Sequence, residues 1–265
     1  MRTSTTALVT LLTDFGTTDW FVGSMKGVLA RLAPKTQTID ITHDIPAGNI
    51  RSGAFALAAS YRFFPKGTIH VAVVDPGVGS DRKAIVVRTT KYYFVGPDNG
   101  LISWALKSEV IKAIHSLENK AYFLQCISQT FHGRDIFAPV AAHLARGVPV
   151  HKLGPARKNL VRLEWPEPRR MPRGLQAEIV YIDRFGNALT NVDASSFQEL
   201  GSNRHELFLR GRRLCTVAGF YDAVPRGGPV AVLGSSGFLE VALNRGNAAQ
   251  ELNLHIGDKV TVRHV

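Results

Sequence analysis

The stretch at residues 71–82, VAVVDPGVGSDR, constrains the fold of this chain more than any other. An unbroken apolar run leads directly to Asp75, and the proline and glycines that follow end the run at once. A short apolar run bounded by turn residues is typical of a strand that is buried on both faces of a parallel sheet. Because ligands of open α/β sheets bind beyond the carboxyl ends of such strands, we expect Asp75 to stand at the lip of a crevice.

The N-terminal part of the chain, residues 1–156, alternates between strand-like and helix-like patterns. Such an alternation is typical of an α/β layer around a mostly parallel sheet. Apolar residues recur at helical spacing in the predicted helices, and turn residues separate them from the strands. We predict strands at 7–12, 38–41, 71–74, 84–88 and 92–95, and helices at 19–32, 49–63, 101–106 and 136–146.

The composition changes near residue 155, and the second part of the chain has a different pattern. Residues 157–174 are rich in proline and arginine, which predicts a stiff linker. Residues 175–265 contain short strand-like runs with turn residues between them and no long helical pattern, which predicts a small β-barrel or a sandwich. The predicted strands are 175–182, 188–192, 207–209, 229–233, 238–243 and 259–265.

The formal net charge of +11 favours anionic partners such as nucleic acid. The basic residues are scattered, however, apart from a local cluster at 157–173. Aromatic residues are not interleaved with lysine and arginine as in a surface that binds single strands. We therefore expect a basic surface without nucleic-acid binding.

Neither a membrane span nor a structural metal site is expected. No apolar run reaches the roughly 18 residues that a spanning helix needs. The opening MRTSTTALVTLLTDFG is read as a first strand and not as a signal peptide, which indicates the cytoplasm. Cys126 and Cys215 lie far apart and beside no ligand at zinc spacing, so we expect two free thiols.

Five polar patches fall where predicted strands or helices end. None of them is a Walker loop, a dinucleotide fingerprint or a serine-hydrolase elbow, so the usual support for nucleotide-phosphate and serine-hydrolase sites is missing. An adenosyl ligand without phosphates is still permitted. The patches are 13–16, 75–82, 131–135, 183–187 and 235–238.

These patches, read with their neighbours, resemble the motifs of a known family. The strings TDFG, DPGVG, GPDNG, FHGRD, DRFGNALTN and SSGFLEVALNRGNAA occur in order over essentially the whole chain. They are similar to those of the S-adenosyl-L-methionine (SAM) hydroxide adenosyltransferases, the adenosine-forming SAM hydrolases, which are related to SAM-dependent fluorinases and chlorinases. The resemblance implies a Rossmann-like N-terminal domain, a C-terminal β-barrel and a homotrimer. It also implies that SAM binds between subunits.

The family's functional residues transfer to positions that match its motifs. The resemblance implies a catalytic group of Asp75, Arg82 and His132, with Asp14 binding the ribose hydroxyls. It further implies that residues of the C-terminal half hold the methionine end and stack on the adenine. Those residues are Asp183, Phe185 and Asn187, together with Ser236 near the amino-acid carboxylate.

The implied reaction is hydrolysis of SAM to adenosine and L-methionine, by in-line attack of water on the ribose 5′ carbon. A neutral thioether leaves, so the site must orient a water and accept its proton, and no metal or other cofactor is required. Asp75 can accept a hydrogen bond from that water. Arg82 is charged at every relevant pH, and His132 could titrate near neutrality.

Two alternatives remain open, a halide-dependent adenosyl transferase and a non-catalytic sensor of SAM or adenosine. Halogenating relatives carry tyrosine at the position of Asp75 and insert a loop before the GPDNG-like turn, where this chain passes directly through 88–92. Both departures favour water as the nucleophile. Halogenase-type relatives also place arginine where this chain has Gly237, so the partner of the methionine carboxylate is unassigned.

Overall fold

The computed structural model of this protein describes residues 7–201 and 204–265, which form two compact units. Unit 1 ends at Leu163 and unit 2 begins at Glu164. This division falls inside the segment 157–174, and the limits of the linker and of the two domains stay predictions. Residues 1–6 and 202–203, which belong to the predicted domains, lie outside the described part of the chain.

Unit 1 is built on a six-stranded sheet with the order β2-β1-β3-β5-β4-β6. The pairings β1–β2, β1–β3 and β3–β5 are parallel, and β4 is antiparallel to both of its neighbours. The sheet is therefore mixed but mostly parallel, and the predicted α/β class is confirmed. Its strands are β1 (Leu8–Thr13), β2 (Gln37–Thr42), β3 (Ile69–Val73), β4 (Ala84–Thr89), β5 (Tyr93–Pro97) and β6 (Ile111–Ser116).

Helices cover both faces of this sheet. Helix α1 (Phe21–Leu32) packs with α3 (Ala138–Ala145) on one face, and α2 (Ile50–Ser60) packs on the other. A π-helical turn (Gly133–Phe137) leads directly into α3. No helix in the described ranges is long and apolar enough to cross a membrane.

Strand β3 and the residue that follows it are buried throughout, because they contribute to two hydrophobic cores. Val71 and Val73 belong to the core under α1 and α3, whereas Ala72 and Val74 belong to the core under α2. All four side chains are at most 2% exposed. Full burial of a valine side chain stabilises a fold by about 1.5–3 kcal/mol. Burial on both faces therefore stabilises β3 in the interior of the sheet, between β1 and β5.

Unit 2 contains a closed β-barrel, as predicted. Seven strands form the ring β14-β10-β11-β12-β13-β9-β8, which closes by the pairing of β14 with β8, while β7 pairs with β8 outside it. Two short helices are α4 (Ala194–Gln198) and α5 (Ala248–Glu251). The strands are β7 (Arg169–Met171), β8 (Gly174–Ile182), β9 (Ala188–Asp193), β10 (His205–Leu209), β11 (Arg212–Ala218), β12 (Pro229–Leu233), β13 (Phe238–Leu243) and β14 (Lys259–His264).

The structure differs from the predicted elements in one helix and in three strands. The predicted helix at 101–106 is wrong: these residues form turns that lead into a 3-10 helix (Ala105–Ser108). All six side chains are buried there, so the segment lacks the exposed face that an amphipathic helix presents. Strands β6, β7 and β11 were not predicted. Strand β11 begins with two arginines, and it forms because β10 and β12 supply hydrogen-bond partners on both sides.

Substitution of two glycines in unit 1 tests how closely β3 and β5 pack. A Cβ atom on Gly96 would lie 2.3 Å from the Ala72 carbonyl oxygen, in the parallel pairing of β3 with β5, whereas one on Gly27 would meet nothing within 4 Å. We expect Gly96→Ala to lower the free energy of unfolding by about 1–3 kcal/mol through overpacking. Gly27→Ala, on the exposed side of α1, should raise it by about 0.5–1 kcal/mol. Urea unfolding followed by circular dichroism measures both, and equal stabilities would contradict the close approach.

Candidate active site

Two carboxylates lie at the carboxyl edge of the unit 1 sheet. Strands β1 and β3 run side by side in parallel, with Thr13 opposite Val73. Asp14 follows β1 immediately, and Asp75 lies two residues beyond β3. The parallel pairing therefore brings both predicted site residues to the same edge of the sheet, where ligands of such folds bind.

The turn after β3 folds Arg82 back onto Asp75. Arg82 Nε donates to both carboxylate oxygens at 2.9 Å, and Nη2 donates to Oδ2. The Asp75 and Arg82 side chains are only 5% and 11% exposed. Gly79 has a φ of +80°, and a Cβ there would lie 2.4 Å from the Gln129 carbonyl oxygen, so this turn requires glycine.

His132 joins this pair through the same guanidinium. Its Nδ1 lies 2.7 Å from Arg82 Nη2. Because arginine can only donate, Nδ1 must accept, and the neutral ring then carries its proton on Nε2. Burial lowers the pKa of His132, and the Arg82 charge lowers it further, although the nearby carboxylates of Asp75 and Asp135 act in the opposite direction. Geometry and electrostatics thus favour the same neutral tautomer.

The π-helical turn positions His132, which directly precedes it. Pro139, near the start of α3, has no N–H to continue the ladder of helical hydrogen bonds, and the Asp135 carbonyl accepts from the Leu124 N–H at 3.0 Å instead. The Ala138 N–H reaches back to the Gly133 carbonyl, which closes the wider turn. The missing Pro139 N–H thus interrupts the regular α-helical bonds next to this turn, and π turns are frequent at functional sites.

Asp135 anchors the loop in front of this turn, a role that the sequence analysis did not assign. Its fully buried carboxylate accepts from Arg134 Nε at 2.6 Å and from the Ser128 N–H at 2.8 Å. Burial alone would raise the pKa of Asp135, but these hydrogen bonds hold it below its ordinary value. Its place beside His132 in the FHGRD string was the available signal.

Asp14 is only partly engaged. Its Oδ2 accepts from the Gly48 N–H at 2.7 Å, and in the described part of the chain Oδ1 has no hydrogen-bond partner. The Phe15 ring that follows it packs against Phe131, edge to face at 5.8 Å between centroids. The TDFG and FHGRD segments are thereby in contact.

In unit 2, Asp183 organises the predicted adenine-binding loop. Its Oδ1 accepts from the backbone N–H groups of Phe185 and Asn187 at 2.9 Å, and its Oδ2 accepts from Asn187 Nδ2 at 3.0 Å. The Phe185 side chain is 75% exposed. The loop therefore holds an aromatic ring outward, and the Asp183 carboxylate is used within the loop itself.

Ser236 lies just before β13, at the opposite end of β9 from the Asp183 loop. Strand β13 pairs with β9 so that Phe238 faces Asp193 and Val241 faces Ala188. The turn that carries Ser236 is thus separated from the Asp183 loop by the length of β9, about 17 Å at 3.3–3.4 Å per residue. Ser236 Oγ is buried and has no partner among the described residues. Unit 2 does not bring Ser236 together with the other three predicted residues.

Sequence reasoning missed a hydrogen bond between a buried glutamate and a tyrosine near Asp183. Glu240, 5% exposed, accepts a hydrogen bond from the Tyr221 hydroxyl. Burial raises the pKa of Glu240; the Tyr221 hydrogen bond lowers it, and the Asp183 charge raises it. A Cβ on Gly234 would lie 2.3 Å from Glu240 Oε2, so glycine makes room for this carboxyl group. A single glutamate in the apolar run FLEVAL was the available signal.

Across residues 7–201 and 204–265, no cluster of three or more histidine, cysteine, aspartate or glutamate side chains could hold a metal ion. Cys126 is exposed and Cys215 is buried, and both are free thiols. Burial raises the pKa of Cys215 to about 12, which keeps this thiol protonated.

Known proteins match this chain over nearly its whole length. The models of the SAM hydroxide adenosyltransferase N-terminal and C-terminal domains match residues 9–154 and 177–261. A "(R)-S-adenosyl-L-methionine hydrolase" of Salinispora arenicola is 39% identical, and the match covers 98% of this chain and 98% of that protein. A "Fluorinase" of Actinoplanes sp. is 27% identical, with 96% of this chain and 97% of that protein covered.

A solved structure has the same fold over nearly the whole chain. The crystal structure of an uncharacterized conserved protein from Thermotoga maritima has a TM-score of 0.92 and 35% identity, and the match covers 97% of this chain and 100% of that one. The two matching family domains follow the division into unit 1 and unit 2. The resemblance seen in the sequence motifs is confirmed, and the chain belongs to the SAM hydroxide adenosyltransferase family.

Proposed function

We propose that this protein hydrolyses SAM to adenosine and L-methionine, by in-line attack of water on the ribose 5′ carbon. One observation carries this proposal: Arg82 holds Asp75 and His132 together at the carboxyl edge of the sheet. The family and the name of the Salinispora arenicola relative support the same substrate. Neither a metal nor an organic cofactor has a part in the proposed reaction.

The hydrogen bonds in the site suggest a role for each residue. Asp75 accepts a proton from the attacking water, and Arg82 fixes the orientation of that carboxylate. His132 Nδ1 is occupied by Arg82, so only its Nε2–H is available, and a donor suits the oxygen of the water. The leaving thioether is neutral and needs no acid, so catalysis rests on orienting the water and accepting its proton.

Substrate contacts are proposed for the remaining residues. The Asp14 Oδ1 atom, which has no partner among the described residues, accepts from the ribose hydroxyls. Phe185 stacks on the adenine, which its exposure supports, and Asp183 and Asn187 shape the loop that presents it. Ser236 contacts the amino-acid carboxylate, which requires an extended ligand that runs along β9.

A halide-dependent adenosyl transfer is the second candidate, because a relative is named fluorinase. In this chain, a halide that took the place of the water would approach the Asp75 carboxylate. Two like charges 4 Å apart repel by about 1 kcal/mol in water and more strongly in a buried site. Strands β4 and β5 are also joined by a direct turn, without the inserted loop expected of a fluorinase. Water is therefore the better nucleophile for this site.

Water enriched in ¹⁸O tests the reaction directly. We expect purified protein, in the presence of a chelator, to convert SAM into equal amounts of methionine and adenosine, with the label in the adenosine 5′-hydroxyl. Added chloride should change neither the rate nor the product. Unlabelled adenosine, a chloride-containing product or no turnover at all would contradict water attack at the 5′ carbon.

The same assay tests Asp75. Asp75→Asn should lower kcat by about 10²–10⁴-fold, because the amide cannot accept the proton, while SAM still binds. Asp81→Asn is the matched control, since Asp81 is exposed in the same turn and should keep wild-type activity. Near-wild-type turnover by Asp75→Asn would exclude it as the proton acceptor.

The pKa of His132 should lie below its ordinary value of about 6.5. Protonation takes the Nδ1 lone pair from Arg82, so kcat/KM should be constant above the lowered pKa and fall as the pH drops through it. Between the two pKa values the unfolded chain binds this proton and the folded chain does not. Stability is therefore also lost as the pH falls through that window.

Titration by NMR measures the pKa of His132 without relying on activity. Arg82→Gln should raise that pKa, because the neighbouring positive charge is gone. A His132 pKa at or above 6.5 in the wild-type protein would contradict the neutral tautomer.

We further propose a cytoplasmic homotrimer, in which the catalytic group of one copy works with the Asp183 loop of another. The family resemblance and the exposed Phe185 ring support this assembly. Mixing inactive Asp75→Ala and Asn187→Ala chains should then restore about a quarter of the wild-type activity, since random assembly makes that share of interfaces intact. A mass of one chain in sedimentation, or no recovery on mixing, would contradict it.

A further inference from the structure

Strand β1 contains two threonines that contact buried histidines in the same way. Thr10 Oγ1 lies 2.8 Å from His70 Nδ1, and Thr13 Oγ1 lies 2.8 Å from His43 Nδ1. All four residues are at most 4% exposed. The two pairs differ in position, because Thr10 lies inside the strand whereas Thr13 is its last residue and precedes Asp14.

The segment from His43 to Gly48 holds the Asp14 loop at several points. The Gly16 N–H donates to the His43 carbonyl at 2.8 Å, and the Gly48 N–H donates to Asp14 Oδ2 at 2.7 Å. Thr13 Oγ1 also accepts from the Phe15 N–H at 3.2 Å. One backbone bond and one bond to the Asp14 carboxylate thus hold the loop, and the Thr13 hydroxyl connects it to the His43 ring.

The polar contacts around the His43 ring are compatible with a single assignment of donors and acceptors. Thr13 accepts from the Phe15 N–H and can still donate its own hydroxyl proton to His43 Nδ1, an arrangement in which the ring proton is on Nε2, the nitrogen that faces Asp40. Nε2 lies 3.1 Å from Asp40 Oδ1, off the line of a good hydrogen bond but close enough for attraction. Asp40 in turn accepts from Lys26 Nζ at 2.6 Å. The ring is therefore held on both sides.

We propose that His43 is a positioning residue for Asp14. Through Thr13 it fixes the loop so that Asp14 Oδ1 is directed at the ribose hydroxyls. This inference rests on the proposed role of Asp14 in binding ribose. His43 itself touches no substrate, and its effect on binding passes through the loop. A displaced carboxylate would weaken the bonds to the two hydroxyls and leave the rest of the ligand unaffected.

The ratio of the dissociation constants of 2′-deoxyadenosine and adenosine tests this proposal. We expect the wild-type protein to prefer adenosine about tenfold, because a carboxylate that accepts from a hydroxyl rejects a ligand that lacks it. Thr13→Val, which replaces the hydroxyl with a methyl group, should bring the ratio close to one, as should Asp14→Ala. A merely structural role would weaken both ligands equally and leave the ratio unchanged.

The matched control is Thr10→Val, which breaks the equivalent bond to His70 within the same strand. It should lower the melting temperature as Thr13→Val does, yet keep the wild-type ratio. His43→Asn retains an acceptor near the position of Nδ1 and should restore part of the ratio, whereas His43→Leu should not. If His43→Leu does not fold, the comparison of Thr13→Val with Thr10→Val still tests the proposal through the ratio of dissociation constants.

A double-mutant cycle shows whether the effect passes through Asp14. In an Asp14→Ala background, Thr13→Val should change the adenosine affinity less than twofold, since the group that it positions is gone. Additive effects, or a wild-type ratio in Thr13→Val, would overturn the proposal. Because these are binding measurements, wild-type protein that binds adenosine but does not hydrolyse SAM would contradict the proposed function alone. Wild-type protein that binds neither nucleoside would contradict both.

Discussion

The parallel pairing of β1 with β3 is the constraint on which the rest of unit 1 depends. It runs in register from Val9 opposite Ile69 to Thr13 opposite Val73, so the two strands end side by side. A slip of one residue would turn every side chain of β3 to the opposite core. The two hydrophobic cores therefore do more than stabilise the sheet, because they also fix which residues reach its carboxyl edge.

At that edge, one guanidinium organises the site. Arg82 neutralises the buried charge of Asp75, closes the turn that carries both residues, and determines which nitrogen of His132 bears the proton. Arginine suits this position because it is charged at every relevant pH and donates in a fixed planar geometry. Lysine could pair with the carboxylate but could not reproduce this geometry toward both partners.

Much of the fold could be predicted from the sequence because its signals are local. Apolar runs that end in turn residues located β3 and most barrel strands, and the motifs identified the residues around Arg82. The remaining features depend on partners that are distant in the sequence. The contact between Thr13 and His43 spans 30 residues, and that between Tyr221 and Glu240 spans 19. A local pattern can single out one member, as with the glutamate in FLEVAL, but it does not identify the distant partner.

The π-helical turn in front of α3 has a consequence for how this site can vary. Each residue of a helix rotates the chain by about 100°, and a π turn accommodates one residue more than an α turn does. Removing one residue from Gly133–Phe137 would leave the apolar face of α3 in place and rotate His132 away from Arg82. The alignment of the two side chains thus depends on a count of backbone residues, to which insertions and deletions are far more dangerous than substitutions.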